Sequence, residues 1–182
     1  MNETKKIEIL LIIGISFLFV TCGNKENKTK KITYKKAEIY NAPCEFVSLE
    51  DVKKVFAVAS VNINMENVVL THPTCIFKWE DGKVFYQKYI GNIEVKTNLP
   101  SEILIVLVKD ISDKEFKSLV KVYKNAQAIN NVGEMAIWDK KMLQLSFLIK
   151  NNLFHIRVKA SNDEEINKEK AIEVSKLILG KF

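Results

Sequence analysis

Ile103-Leu104-Ile105-Val106-Leu107-Val108 is an unbroken apolar run held between Glu102 and Lys109. Six residues are too few for most helices, whereas a strand covered on both faces has no reason to alternate with polar residues. The run therefore predicts a central strand, and the flanking segments say what surrounds it. Upstream, Asp81-Gly82 is a two-residue hairpin signal, which would pair Trp79 with Val84, Phe77 with Tyr86 and Cys75 with Lys88. That register places Cys75, Phe77, Trp79, Val84 and Tyr86 on one face. Earlier still, Ser48 precedes Glu50 and Asp51, a helix start with a capping hydroxyl and acids facing the positive end of the dipole. Val52, Val55 and Phe56 form that helix's apolar stripe.

Downstream of the run, Ser112-Asp113-Lys114-Glu115 has the form of a capping box, and Phe116, Leu119, Val120 and Tyr123 follow at helical spacing. A second hairpin is expected around Asn151-Asn152, pairing Ile149 with Phe154, Phe147 with Ile156 and Leu145 with Val158. In it His155 and Arg157 point to solvent. A last amphipathic helix opens at Ser161-Asn162-Asp163-Glu164 and closes at Gly180, with Ala171, Val174, Leu177 and Ile178 turned inward. The sum is an α+β chain: one antiparallel sheet with helices packed on its faces, an α/β sandwich carrying one disulfide.

The chain has 182 residues and a formal net charge of +6. Position decides what that charge means. Gly23 to Lys36 holds six lysines against Glu26, a net +5, while Ala37 to Phe182 holds 20 basic and 19 acidic residues. A body so close to neutral has little from which to build a phosphate-backbone footprint, and Arg157 is the only guanidinium in the chain. Nucleic acid is not an expected partner.

Ile9 to Val20 is an uncharged apolar run preceded by Lys5 and Lys6. Twelve helical residues span about 18 Å, short of a bilayer core of about 30 Å, so the run fits the apolar stretch of an export signal. The stretch Phe19-Val20-Thr21-Cys22 resembles the lipobox of bacterial lipoproteins, with Leu18 one place early and Thr21 in the small-residue position. That resemblance implies cleavage before Cys22, lipid on its sulfur, and residence in the bacterial cell envelope. The expected organisation is a signal peptide over 1–21, a lipidated Lys-rich tether over 22–41 and a folded domain over 42–182.

Three cysteines in an exported chain leave one without a partner. With Cys22 lipidated, Cys44 and Cys75 remain to pair, and they would pin the first helix to the strand bearing Cys75. The alternative is two free thiols buried as small apolar groups. A zinc site would need more ligands than His72, the only nearby imidazole, and there is no Cys-x-x-Cys spacing.

Asn131-Val132-Gly133-Glu134-Met135-Ala136-Ile137-Trp138, followed by hairpin and terminal helix, is similar to a signature of small cell-envelope lipoprotein domains, including the extracellular sensor modules of mycobacterial receptor kinases. A disulfide between an early helix and the first hairpin belongs to the same likeness. The resemblance implies a sandwich with a groove for a ligand or partner, and no catalytic residues. On their own chemistry Gly133 permits a positive φ or a close backbone approach, Trp138 packs on the sheet, and Glu134 can accept from backbone amides.

An enzyme needs convergent polar groups, and the chain has only His72 and His155 and no nucleophile elbow, zinc-protease helix or phosphate loop. No cofactor is implied. The leading expectation is a membrane-anchored, non-catalytic binding or sensor-like module offering a groove or sheet face to a small molecule, an envelope polymer or a protein. The alternative is an assembly or immunity-type factor acting through protein contact, which would carry an exposed apolar patch in place of a concave pocket. The third is a hydrolase whose site is assembled from residues distant in sequence.

Overall fold

The computed structural model describes residues 35–36, 42–124 and 126–182. The proposed signal segment, Cys22 and most of the proposed tether lie outside them. Eight strands form one antiparallel sheet: β1 (Lys35–Lys36), β2 (Asn64–Val69), β3 (Pro73–Ile90), β4 (Ile93–Val108), β5 (Ala126–Ala128), β6 (Met135–Asp139), β7 (Gln144–Ile149) and β8 (Asn152–Lys159). Their order is β1-β2-β3-β4-β8-β7-β6-β5, so two meanders meet where β4 pairs with β8. Three helices complete the fold: α1 (Leu49–Phe56), α2 (Asp113–Val120) and α3 (Glu164–Leu179).

The apolar run is central, as its composition requires. Ile103, Ile105 and Leu107 are fully buried beneath α1 and α3, in one core with Phe77, Phe147, Phe154, Ile156 and Val174. The alternate residues Leu104, Val106 and Val108 are half-buried, because α2 covers only one end of the opposite face. There Phe116 packs with Leu148 and Leu153 in a smaller cluster. The predicted capping box at Ser112 forms, accepting from Glu115 N–H at 3.3 Å, and the predicted cap Ser48, accepting from Asp51 N–H at 3.1 Å, makes a second one, each acid reaching back to the cap. Such caps contribute about 1 kcal/mol each. The α2 helix ends at Val120, and Tyr123 follows it in a turn.

Cys44 and Cys75 are bonded, which ties the chain just before α1 to β3 in the core.

The first hairpin is not where Asp81-Gly82 predicts it. β3 runs through that dipeptide, and the turn is Gly91-Asn92, with Ile90 opposite Ile93 and Gly91 at φ +61°. Asp81-Gly82 is instead an excursion inside β3: Trp79 faces Ser101, the next pair is Val84 with Leu99, and only Pro100 spans the gap on β4. Gly82 does take the positive φ its residue type suggests, +71°, but the excursion uses it. Pro100 has no N–H to give a ladder, so the excursion lies where the ladder would be interrupted anyway. Asp81 then closes the loop, accepting from Trp79 Nε1 (2.9 Å), Ser101 Oγ (2.8 Å) and Lys83 N–H (3.2 Å).

The second hairpin is shifted as well. Its turn is Lys150-Asn151, both with positive φ, so Ile149 pairs with Asn152 and Phe147 with Phe154. This differs from the expected register by two residues, a slip that leaves every side chain on its own face and is invisible to the apolar pattern. The choice is made by polar partners: Glu134 accepts from Lys150 N–H at 2.9 Å and Asn152 donates to the Lys150 carbonyl at 2.8 Å.

Candidate functional site

The three residues of the sequence signature hold the fold at separate points. Gly133 has φ +58°, and a side chain there would fall on the carbonyl oxygen of Leu148. The closeness follows from the next residue, since Glu134 N–H donates to that same oxygen at 2.8 Å. Glu134 also caps the β7–β8 turn through Lys150. Trp138 points into the core, 1% exposed, and its Nε1 donates to Glu164 at 3.1 Å. Lys140 first, and Trp138 second, hold the Glu164 carboxyl below its ordinary range. These residues do not converge on a groove.

His155 does not point to solvent as expected. It lies half-buried on the face opposite α1 and α3, where Val106 and Ser146 are its strand neighbours. Ser146 Oγ is 2.8 Å from its Nδ1, Gln144 Nε2 is 3.1 Å from the same nitrogen, and Gln144 reaches the Tyr123 hydroxyl at 3.3 Å. Burial, and secondarily the charge of His72, push the imidazole down to about 4, so it is neutral near pH 7. A serine beside a neutral imidazole is the pair from which a nucleophile can be built. Here Ser146 is 2% exposed in mid-strand, and the third group crowds the same nitrogen rather than orienting the other. The cluster ties β7, β8 and the turn after α2 together. Sequence alone missed it because Ser146 and His155 become neighbours only in the true register.

Depressions are present but open. One of about 600 Å³ runs along α2 beside Ile111, Ser112 and Leu119, and one of about 450 Å³ lies against Val122, Tyr123 and Met142. A third, about 460 Å³, sits at the excursion beside Val61, Trp79 and Pro100. Sites that enclose small ligands bury most of the ligand's surface, which these broad hollows do not. Among the described residues no three His, Cys, Asp or Glu side chains gather as metal ligands, and no described helix is long and apolar enough to cross a membrane.

The outer half of β3 and β4 is largely exposed. β2 stops pairing at Lys78 and β8 at Glu102, so Val84–Ile90 and Ile93–Leu99 pair only with each other among the described residues. The seven pairs form an arm about 20 Å long. Tyr86, Tyr89, Ile90 and Ile93 on it are 57%, 67%, 58% and 69% exposed. An isolated two-stranded ribbon is marginal in water, so its root needs support. Val84 supplies part, being 1% exposed in the core, and Asp81 closes the excursion below it. One face of the arm carries Tyr86, Lys88, Ile90, Ile93 and Val95. On the other face Lys96 lies 3.8 Å over the Phe85 ring and Tyr89 OH is 3.4 Å from Glu94. The more polar face thus makes contacts within itself while Tyr89 stays exposed on it, and Tyr86, Ile90 and Ile93 stand exposed on the apolar face.

No family model matches this chain, and no curated protein or solved structure matches it either.

Proposed function

We propose that this chain is a lipid-anchored, non-catalytic contact protein of the bacterial cell envelope, working by pressing the β3–β4 arm against a macromolecular surface. The exposed side chains of the arm carry this reading: four large apolar or aromatic groups stand on one projecting ribbon, while the hollows elsewhere are open. Exposed apolar surface gathered on one element marks a contact site more often than scattered single residues do. Between the two binding expectations, an exposed patch in place of a concave pocket favours contact over capture of a small molecule. The apolar run Ile9–Val20 and the lipobox-like Phe19-Val20-Thr21-Cys22 support the anchoring part, with the diacylglycerol carried on Cys22.

Photo-crosslinking in intact envelopes tests the proposal. A crosslinking side chain at Tyr89 is expected to give adducts that the same group at Lys117, exposed on α2, does not. Equal labelling at the two positions, or none at Tyr89, would remove the arm from the function.

A further inference from the structure

We propose that the surface met by the arm is an anionic lipid leaflet, with Ile90 and Ile93 entering its headgroup region; this rests on the anchored reading above. The order of side chains along the arm is the first argument. From the tip inward come Ile90 with Ile93, then Tyr89 with Glu94, then Lys88 with Val95, then Gln87 with Lys96, then Tyr86 with Thr97. Apolar groups lead, an aromatic ring follows, and amino groups stand two to three residues behind. This is the order in which a bilayer interface accepts them: aliphatic groups deepest, tyrosine at the headgroups, lysine reaching back to phosphate.

Depth is limited by the backbone. The arm's strands have no outer partners among the described residues, and open sheet edges do not enter hydrocarbon. The arm therefore stops at the headgroups, with the Gly91-Asn92 turn leading.

Charge is the second argument. The arm holds Lys88 and Lys96 against Glu94, a net +1, with both lysines set back from the tip. Each lysine near an anionic surface raises partition roughly fivefold. A second copy of this chain suits the arm less well, because Lys88 is the only charge on its apolar face and would meet its own image across a two-fold axis.

The test uses the full-length chain in vesicles of phosphatidylcholine with phosphatidylglycerol, some carrying lipids brominated near the glycerol end of the acyl chain. Ile93→Trp adds a tryptophan at an exposed position to a chain whose Trp79 and Trp138 are buried, and Tyr89→Trp is a second reporter. The protein is expected to float with the vesicles and the new tryptophan to be quenched. Lys88→Glu with Lys96→Glu should cut the quenched fraction by at least about threefold, as should high salt. A chain that floats with its tip tryptophan unquenched overturns the leaflet contact and leaves the anchoring intact. A tip tryptophan shielded only as protein concentration rises, or only when envelope proteins are added, overturns it in favour of a protein partner. A chain that does not float removes the anchoring, and this inference with it.

Discussion

Asn162 and Phe85 are 77 residues apart and share two hydrogen bonds: the Asn162 side-chain oxygen accepts from Phe85 N–H at 3.2 Å and its amide donates to the Phe85 carbonyl at 3.0 Å. One side chain thus does for the root of the arm what a neighbouring strand would do, just past the point where β2 and β8 end their pairing. Asn162→Ala should leave global stability within about 1 kcal/mol of the parent, the net value of such bonds. Amide exchange across residues 84–99 should rise by several-fold, and an unchanged exchange profile would show that the clamp is dispensable.

Asp81 is the second support. Burial raises its pKa, but hydrogen bonds from Trp79, Ser101 and the Lys83 amide, with the Lys83 charge, outweigh that and leave the carboxyl below its ordinary value. Asp81→Ala strands a buried indole N–H and the Ser101 hydroxyl, at a cost of about 2 kcal/mol, measurable by urea denaturation. Because the folded pKa is depressed, this contribution is present at neutral pH and fades as the pH falls through the folded value.

The Cys44–Cys75 bridge spans a sequence separation of 31, and removing it should cost about 3–4 kcal/mol on the chain-entropy account. Thermal melts of Cys44→Ser with Cys75→Ser, compared with the oxidised and reduced parent, check this. The reduced parent should melt with the double variant.

Gly133→Ala meets two penalties, a positive φ and a Cβ driven onto the Leu148 carbonyl. The obstacle is backbone that also accepts from Glu134, so it cannot yield cheaply. A loss on the order of 3 kcal/mol is expected, whereas Ala at Gly82, where nothing stands near, should cost only its backbone strain. Equal losses at the two glycines would refute the close-approach argument.

His155 predicts a pH dependence. Its folded pKa is pushed down to about 4 by burial and then by His72, below an unfolded value near 6.5. Between those values the unfolded chain binds the extra proton, so stability is full above about pH 6.5 and falls by about 2–3 kcal/mol toward pH 4. Below pH 4 this group adds no further slope. His155→Gln should flatten that part of the stability curve while leaving the carboxylate-driven loss at lower pH.

Local chemistry accounts for much of what was legible. Ser48 and Ser112 cap because a hydroxyl three residues before an acid satisfies end amides in any context. Cys75, Phe77 and Trp79 share a face because strand geometry alternates with period two. Positive φ at Gly82 was equally legible, but a turn and an in-strand excursion ask the same of that residue. Pro100 and Ser101, across the sheet, select between them. The turn at Gly91-Asn92, nine residues on, was not read from the sequence, where Asp81-Gly82 is the stronger hairpin signal.

By itself the sequence determined the composition of the core, the helix starts, the central place of Ile103–Val108 and the α+β class. Each depends on residue type and short-range spacing. Only the tertiary structure decided the length of β3 and β4, the two-residue slip that brings His155 to Ser146, and the arm that leaves Tyr89 and Ile93 in the open. Strand register and reach depend on which distant groups satisfy one another, and a periodic apolar pattern is indifferent to shifts by its own period.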